Sequence, residues 1–171
     1  MTRGRRSCGH QWLTHRVDDV QLRPATGSDA GAIAGVHRLS RASYYGTVPN
    51  PDDGREAFWA RFLCESERST YVAESADGVV GFVTTTRVSD PVPTLELTSL
   101  YVHPDRVGRG IGSRLYDAFA DDRRPGERGV LEVWAGNPRA IAFYERRGWT
   151  ATTRTRPGPE QLHYVTHELR P

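Results

Sequence analysis

The sequence predicts one mixed α/β (α+β) domain of 171 residues. Strand-like and helix-like segments alternate along the chain, which favours a mixed fold over an all-helical or all-strand one. Asp77-Gly78 separates two β-branched runs, a typical hairpin signal. The segment from Gly108 to Gly112 is rich in glycine and joins a strand pattern to a helix pattern. Hydrophobic residues make up 37% of the chain, enough for a globular core.

In the first half of the chain, order is expected from residue 19 onward, and residues 1–18 are expected to form a disordered basic tail. The residues after Val20 alternate like a strand, and Ser28 or Asp29 could cap a helix. That helix carries Ile33, Val36, His37 and Leu39. Residues 43–54 are rich in Tyr, Pro and Gly and predict a loop or broken helix, and residues 56–67 predict a second helix.

The second half begins with strands. The predicted strands are residues 70–74, 79–88, 94–102, 130–135, 149–156 and 162–169. A helix follows the glycine segment, because Ile111, Leu115 and Phe119 repeat on one helical face. Asn137-Pro138 is typical of a helix start, with Asn as the cap and Pro in the first position, and this helix is expected to stop at Gly148.

Composition and charge exclude several classes of function. All 23 basic residues are arginine, so the chain has no Schiff-base lysine and no Walker A lysine. The formal net charge of +2 is too small to predict a nucleic-acid or membrane partner. Cys8 and Cys64 form no metal-binding or disulfide pattern, so we predict no metal and a reducing compartment. Arg5-Arg6 precedes no hydrophobic segment, and a cytoplasmic location is expected.

The glycine segment is a candidate anion site. Glycines at the start of a helix let backbone N–H groups approach an anion, and such a nest suits a pyrophosphate. A tight turn without a ligand would have the same pattern. The dinucleotide-binding fingerprint is disfavoured, because the third glycine comes one position early and the segment follows a hairpin late in the chain.

Two motifs resemble those of one family. The stretch LTSLYVHPDRVGRGIGSRLYDAF resembles motif A of the GNAT acetyltransferase superfamily, and NPRAIAFYERRGW resembles its motif B. The likeness covers about residues 20–169. It implies a splayed, mostly antiparallel central sheet with helices on both faces. One residue departs from the family pattern, since Val107 stands where Gln or Arg is usual.

The resemblance implies acetyl-coenzyme A as co-substrate. The pyrophosphate of coenzyme A would bind to the backbone amides of the glycine segment, and its pantetheine arm would pair with the backbone of residues 100–102. The side chains of these three residues can at the same time be ordinary members of the hydrophobic core. Asn137 could cap its helix and also bond this arm. The implied cofactor-binding residues are Leu100, Tyr101, Val102, Val107, Gly108, Arg109, Gly110, Ile111, Gly112, Ser113 and Asn137.

Amine acetylation needs a base for the amine and an acid for the leaving thiolate. Tyr144 matches the family tyrosine that acts as general acid, although a packed core aromatic would have the same helical spacing. Glu96 is the candidate base, with a solvated strand glutamate as the equal alternative. His37 and His103 are weaker candidates.

The expected function is transfer of an acetyl group to a primary amine by direct attack in a ternary complex. The acceptor is expected to be a small molecule, held by Tyr44, Tyr45 and the loop of residues 155–161. Two alternatives stay open, namely a non-catalytic acyl-coenzyme A sensor and a protein N-terminal acetyltransferase. The resemblance also implies a possible homodimer.

Overall fold

The computed structural model describes residues 20–47, 50, 53–89 and 91–171, and the predicted basic tail of residues 1–18 lies outside this part. The described residues form four helices and seven strands. The helices are α1 (Ala30–Tyr45), α2 (Arg55–Phe62), α3 (Ile111–Asp122) and α4 (Pro138–Glu145). The strands are β1 (Gln21–Pro24), β2 (Arg68–Ser75), β3 (Gly78–Val88), β4 (Thr94–Val102), β5 (Arg128–Trp134), β6 (Thr150–Pro157) and β7 (His163–Leu169).

The seven strands form one sheet in the order β1-β2-β3-β4-β5-β7-β6. Within it, β4 and β5 run parallel, and all the other neighbouring strands pair antiparallel. This is the mixed, mostly antiparallel sheet that the sequence predicted. No helix of the described residues is long and apolar enough to cross a membrane.

A hydrophobic core lies on each face of the sheet. On one face, Leu95 and Leu131 pack with Leu115 and Phe119 of α3. On the other face, α1 and α2 contribute a second cluster that includes Ile33, Trp59, Val72 and Phe82. Full burial of such side chains contributes about 1.5–3 kcal/mol each, so the sheet is held from both sides. The predicted arrangement of helices on both faces is confirmed.

The predicted hairpin at Asp77-Gly78 is confirmed. Ser75 pairs with Gly78 at the end of β2 and β3, and Gly78 has φ +100°, which side-chain-bearing residues rarely adopt. Further along β3, Gly81 lets α3 approach closely, because a Cβ there would stand 3.0 Å from a methyl group of Leu115. The hairpin and this contact fix α3 against the middle of the sheet.

Helix α1 is longer than the sequence predicted. Tyr44 and Tyr45 were assigned to a loop, but they form the last turn of α1. The helix ends because Gly46 adopts φ +64° and donates its N–H to the Ala42 carbonyl, a glycine cap that carries no Cβ penalty. The tyrosines therefore occupy fixed positions on a helix facing the sheet.

Helix α2 is shorter than predicted and ends at Phe62 rather than near residue 67. The N–H of Cys64 donates to the Arg61 carbonyl at 3.0 Å, and that of Glu65 donates to the Phe62 carbonyl at 3.3 Å. These bonds span three residues and tighten the chain into a turn that leads to β2. Cys64 is a free, exposed thiol.

Candidate active site

The sheet opens between its two parallel strands. Pairing of β4 with β5 begins at Thr94 and stops at Leu97 and Leu131. Strand β4 continues to Val102 while pairing with β3, and β5 continues to Trp134 while pairing with β7. The two strands therefore run on as facing edges without bonds to each other, and a gap lies between them.

The backbone of β4 alternates between its neighbour and this gap. The N–H of His103 donates to the Val80 carbonyl at 2.8 Å, which fixes the antiparallel alternation of β3 and β4. By that alternation, the backbone groups of Tyr101 point to β3, and those of Leu100 and Val102 point to the gap. The Val102 carbonyl also accepts a bond from Ser40 Oγ of α1 at 2.7 Å. Leu100 and the N–H of Val102 are thus the groups best placed for an extended ligand.

A β-bulge determines which side chains face which side. Thr84 pairs with Ser99 and Thr85 with Leu97, so Thr98 is the extra residue on β4. Thr98 Oγ1 lies 2.6 Å from Thr84 Oγ1 and donates to the Thr84 carbonyl at 3.1 Å. Because of this extra residue, Leu100 packs with the α3 face, and Tyr101 packs with the α1 face.

The glycine loop lies at the start of α3, close to the end of β4. Gly108 and Gly110 are exposed, with φ +87° and +79°, and apart from their chain neighbours no described atom lies within 4 Å of where their Cβ atoms would stand. Alternating glycines of this kind direct N–H groups to one side and leave room for an anion. The residues present therefore fit a pyrophosphate.

Not every amide of the loop is available to a ligand. The N–H of Val107 donates to Pro104 at 3.3 Å, and that of Ser113 donates to Gly110 at 3.0 Å. Ile111 and Gly112, in the first turn of α3, have no intrahelical carbonyl partner, as helix geometry requires. The side chain of Ile111 is buried in the core, so its contribution to an anion site would come from the backbone.

The side chains around the loop are partly committed elsewhere. Arg106 forms an ion pair with Asp77 of the β2–β3 turn, and Arg114 donates to the Val20 carbonyl. Ser113 Oγ accepts a bond from Arg147 at 2.8 Å. Arg109 is exposed within the loop itself.

Tyr144 of α4 is buried, with 9% of its surface exposed, and its ring packs against Trp149. Its hydroxyl donates no hydrogen bond to any described residue. Burial raises the pKa of Tyr144, and the nearby Tyr101 hydroxyl raises this pKa further. Since Tyr101 belongs to the opposite face of the sheet, this influence acts through the gap. The phenol stays protonated at neutral pH.

Asn137 caps α4 as predicted. Its Oδ1 accepts the N–H of Ala140 at 3.1 Å, and Pro138 occupies the first helical position. The N–H of Asn137 donates to the Trp134 carbonyl at the end of β5. The cap therefore fixes the start of α4 at the β5 edge of the gap.

Glu96 lies on β4, on the face that α1 and α2 cover, because its neighbours Leu95 and Leu97 point to the α3 face. It is half-buried and forms no ion pair with a described residue. Burial raises the pKa of Glu96, Glu132 on β5 raises it further, and Arg68 opposes the shift. A carboxylate of raised pKa is a better proton acceptor than an ordinary one.

The two histidines that were weaker candidates for the base, His37 and His103, have structural roles. His37 Nδ1 accepts the Trp59 Nε1–H at 3.2 Å, which places the imidazole proton on Nε2. His103 Nδ1 accepts the N–H of Asp105 at 3.3 Å and so stabilises the turn before the loop. Neither arrangement presents a free basic nitrogen to the gap.

Four tyrosines form a cluster beside the gap on the α1 face. They are Tyr44, Tyr45, Tyr101 and Tyr164. The Tyr45 and Tyr164 hydroxyls are hydrogen-bonded, and those of Tyr44 and Tyr101 lie 3.4 Å apart. Trp134 packs edge-on to Tyr45. The structure thus brings the predicted Tyr44 and Tyr45 together with Tyr101, which was predicted only as a coenzyme residue.

Sequence reasoning missed Arg41, Trp134 and Tyr164 in this cluster. The sequence does contain a signal for Arg41, because His37, Arg41, Tyr44 and Tyr45 recur with helical spacing. The assignment of residues 43–54 to a loop concealed this pattern. Trp134 and Tyr164 lie opposite one another on β5 and β7, and no local pattern shows that pairing.

A strand edge that opens beside a loop able to accommodate an anion is typical of a class of proteins that hold an extended, phosphorylated carrier across the sheet. Among the described residues, no group of three His, Cys, Asp or Glu side chains could hold a metal ion.

Comparisons with known proteins agree with this class. Residues 33–149 match the Acetyltransferase (GNAT) family. A mycothiol acetyltransferase of Rhodococcus erythropolis is 36% identical over 110 residues, which is 63% of this chain and 33% of that protein. The chain thus spans about a third of the length of this curated relative.

Solved structures show the same fold. A GNAT-family protein of Desulfovibrio desulfuricans superposes with a TM-score of 0.72 at 19% identity, covering 88% of this chain and 98% of that one. The structure of yncA from Salmonella typhimurium with its cofactor acetyl-CoA superposes with a TM-score of 0.65 at 25% identity, covering 89% and 94%.

The chain belongs to the acetyltransferase (GNAT) family. The predicted family and the fold class are thereby confirmed. The fold is one that binds acetyl-coenzyme A.

Proposed function

We propose that this chain transfers the acetyl group of acetyl-coenzyme A to the primary amine of a small molecule, by direct attack in a ternary complex. The observation that carries this proposal is the end of the β4–β5 pairing at Leu97 and Leu131. The gap that follows connects the glycine loop and Tyr144 on one face with Glu96 and the tyrosine cluster on the other.

Acetyl-coenzyme A, when bound, supplies an activated acetyl thioester. The backbone of Gly108–Gly112 would hold the pyrophosphate, and Leu100 and Val102 would present backbone groups along the gap. Leu100 and Val102 support this role because the alternation of β4 directs their N–H and C=O groups away from β3. Tyr101 contributes its side chain to the acceptor side instead.

The proposed chemistry assigns one proton transfer to each of two residues. The amine nitrogen forms a bond to the acetyl carbonyl carbon, and the carbon–sulfur bond breaks. Glu96 accepts the proton that the amine loses, directly or through water. Tyr144 donates its phenolic proton to the departing sulfur. The raised pKa of Glu96 supports its role as the base, and the protonated state of the buried Tyr144 supports its role as the acid.

A small acceptor is supported by the acceptor side of the gap. The C-terminal turn of α1 packs against Trp134 and, through the Tyr45–Tyr164 hydrogen bond, against β7. This packing covers the α1 face beside the gap, where a peptide would need an open groove. The relative of 36% identity is named for mycothiol, which is also consistent with a small acceptor.

Kinetics of Tyr144→Phe test the proposal, with release of free coenzyme A thiol measured against a panel of primary amines that includes a free peptide N terminus. The substitution removes one oxygen and should lower kcat by about 10² to 10⁴-fold, the usual contribution of a general acid. Tyr116→Phe is the matched control, because Tyr116 is equally buried but its hydroxyl accepts a bond from Trp149. Its turnover should stay within a few-fold of the native value.

Thermal melting with acetyl-coenzyme A accompanies the kinetics. A ligand at 100 times its Kd adds about 2.7 kcal/mol of stability to both variants and to the native chain. Stabilisation without turnover of any amine would support the non-catalytic sensor instead. Acetylation of the peptide alone would support the protein N-terminal alternative. If acetyl-coenzyme A produced no shift, the coenzyme site would be wrong.

A further inference from the structure

Arg41 has an unusual position for a charged residue. It lies half-buried on α1, with its guanidinium carbon 4.8 Å from the centre of the Tyr45 ring. It forms no ion pair with any carboxylate of the described residues. A half-buried cation without a counter-ion costs free energy, which a bound anion would recover.

The surroundings of Arg41 consist of hydrogen-bond donors. The four tyrosines of the cluster lie close to the Arg41 guanidinium. Each bonded hydroxyl pair uses one of its two O–H hydrogens, so each pair keeps one hydrogen for another acceptor. Arg41 and the cluster together therefore offer several donors to an incoming oxyanion.

The other arginines nearby have acidic partners. Arg38 and Arg55 both pair with Asp53, at 3.5 Å in the case of Arg38. Arg156 stacks over the Tyr164 ring and pairs with Glu132. Of these four arginines near the tyrosine cluster, Arg41 is thus the one that has no acidic partner among the described residues.

The acidic groups of the same face lie on β4 and β5. Glu96 and Glu132 alternate with side chains that point into the α3 core, which places both carboxylates on the α1 face. An acceptor with an amine and an anion would meet Glu96 at one end and Arg41 at the other, because Glu132 is paired with Arg156. A polyamine would instead place a second cation against Arg41.

We infer that the acceptor carries an anionic oxygen group, a carboxylate or a phosphate, and that Arg41 and the tyrosine cluster bind it. The inference rests on the proposed function and specifies the acceptor class. The planar guanidinium matches two oxygens of such a group at once, whereas the tyrosine hydroxyls donate single bonds.

Sets of matched amines test this inference. Each set contains an amino acid, its primary amide, the amine that lacks the carboxylate, and the aminophosphonate. The phenylalanine, tyrosine and methionine sets cover aromatic and aliphatic side chains. The amide shows whether charge matters rather than size, and the phosphonate distinguishes the two kinds of anion. Turnover is followed by thiol release, and binding of the N-acetylated products by calorimetry.

In the native chain, the anionic member of at least one set should have a kcat/KM at least tenfold above its amide and its decarboxylated amine. Arg41→Gln should reduce that preference about tenfold to hundredfold and leave the neutral members unchanged. Arg41→Lys keeps the positive charge but loses the planar guanidinium. Its preference for the anionic member should lie between those of the native chain and Arg41→Gln. Arg38→Gln on the same helix is the matched control and should keep the preference.

The inference is overturned if the anionic and neutral members of every set have equal kcat/KM values, or if Arg41→Gln lowers the kcat/KM of both alike. It is also overturned if calorimetry shows no tighter binding of the anionic products. These outcomes differ from failure of the proposed function, in which acetyl-coenzyme A would not stabilise the chain. Melting with acetyl-coenzyme A in the same samples separates the two.

Discussion

Trp59 donates its indole N–H to His37 Nδ1 at 3.2 Å, in the middle of the aromatic cluster that joins α1 and α2 to the sheet. This bond requires an imidazole with an unprotonated Nδ1. Burial lowers the pKa of His37 to about 3, and the charges of Arg55, Arg41 and Arg38 act in the same direction, against Asp53. His37 is therefore a neutral structural residue at physiological pH.

His37 should make the folded state sensitive to acid. The unfolded histidine binds a proton below about pH 6.5, whereas the native one does not until about pH 3, so stability falls as pH drops through this window. In this window the free energy of unfolding should change with pH with a slope of about 1.4 kcal/mol per pH unit. His37→Gln can still accept the Trp59 bond and should remove this slope. Urea unfolding at several pH values between 7 and 4 measures this pH dependence of the free energy of unfolding. If the free energies of the native chain and of His37→Gln fell in parallel with pH, the prediction would be contradicted.

Asp29 should also make the fold sensitive to acid, but in a lower pH range. It accepts two bonds from Arg23 at 2.9 Å and one from the Thr26 N–H at 2.7 Å, and the Arg23 bonds lower the pKa of Asp29 to about 2. A lowered carboxyl pKa stabilises the fold above about pH 4, and this contribution is lost as pH falls towards 2.

Asp29→Asn should therefore reduce the free energy of unfolding by about 2 kcal/mol at pH 7. The difference from the native chain should shrink through the acid range and vanish near pH 2. Chemical unfolding at several pH values measures this difference. A penalty that stayed constant with pH would mean that packing of the substituted amide side chain, rather than loss of the charge, causes it.

Gly108→Ala should weaken acetyl-coenzyme A binding more than it weakens the fold. The positive φ of +87° strains any side-chain-bearing residue by about 1–2 kcal/mol, and the added methyl group would occupy the side open to the pyrophosphate. Gly126 has φ +84° and equally open space, but it lies in the turn between α3 and β5. Both variants should melt at similar temperatures, and only Gly108→Ala should raise the KM for acetyl-coenzyme A, by about tenfold or more. Equal KM values would remove Gly108 from the coenzyme site.

Glu132→Gln should shift the pH profile of turnover if Glu96 is the base. Burial raises the pKa of Glu96 first, and the charge of Glu132 adds to it. Removing that charge should lower the pKa of Glu96, so the acidic limb of kcat/KM should move to lower pH. Glu168→Gln is a suitable control, since Glu168 pairs with Arg128 and Arg154 and does not influence Glu96. An unmoved acidic limb would argue against Glu96.

Local signals predicted one strand and one helix cap to the residue. Strand β4 spans Thr94–Val102, the bounds that its alternation and the following His103-Pro104 turn indicated. Asn137 caps α4 because a side-chain oxygen followed by Pro138 satisfies the first helical amides within a few residues. Such features depend on neighbours in the chain, so the sequence alone determines them.

The acceptor side depends on contacts that the sequence does not display. The hydrogen bond between Tyr45 and Tyr164 joins residues 119 positions apart, and its existence follows from the strand order β5-β7. The end of the β4–β5 pairing likewise has no residue pattern of its own. These features arise from tertiary packing, which a single sequence specifies only through the complete fold.

The bulge at Thr98 also bears on which changes of length this protein can tolerate. Side chains alternate with a period of two along a strand, so deleting any one residue between Leu97 and Leu100 would exchange the faces of everything that follows. Leu100 and Val102 would then face α1, and Tyr101 would enter the α3 core. Substitutions in this short stretch keep that parity, whereas single-residue insertions and deletions do not. We therefore expect natural sequence variation here to consist of replacements, with the number of residues held constant.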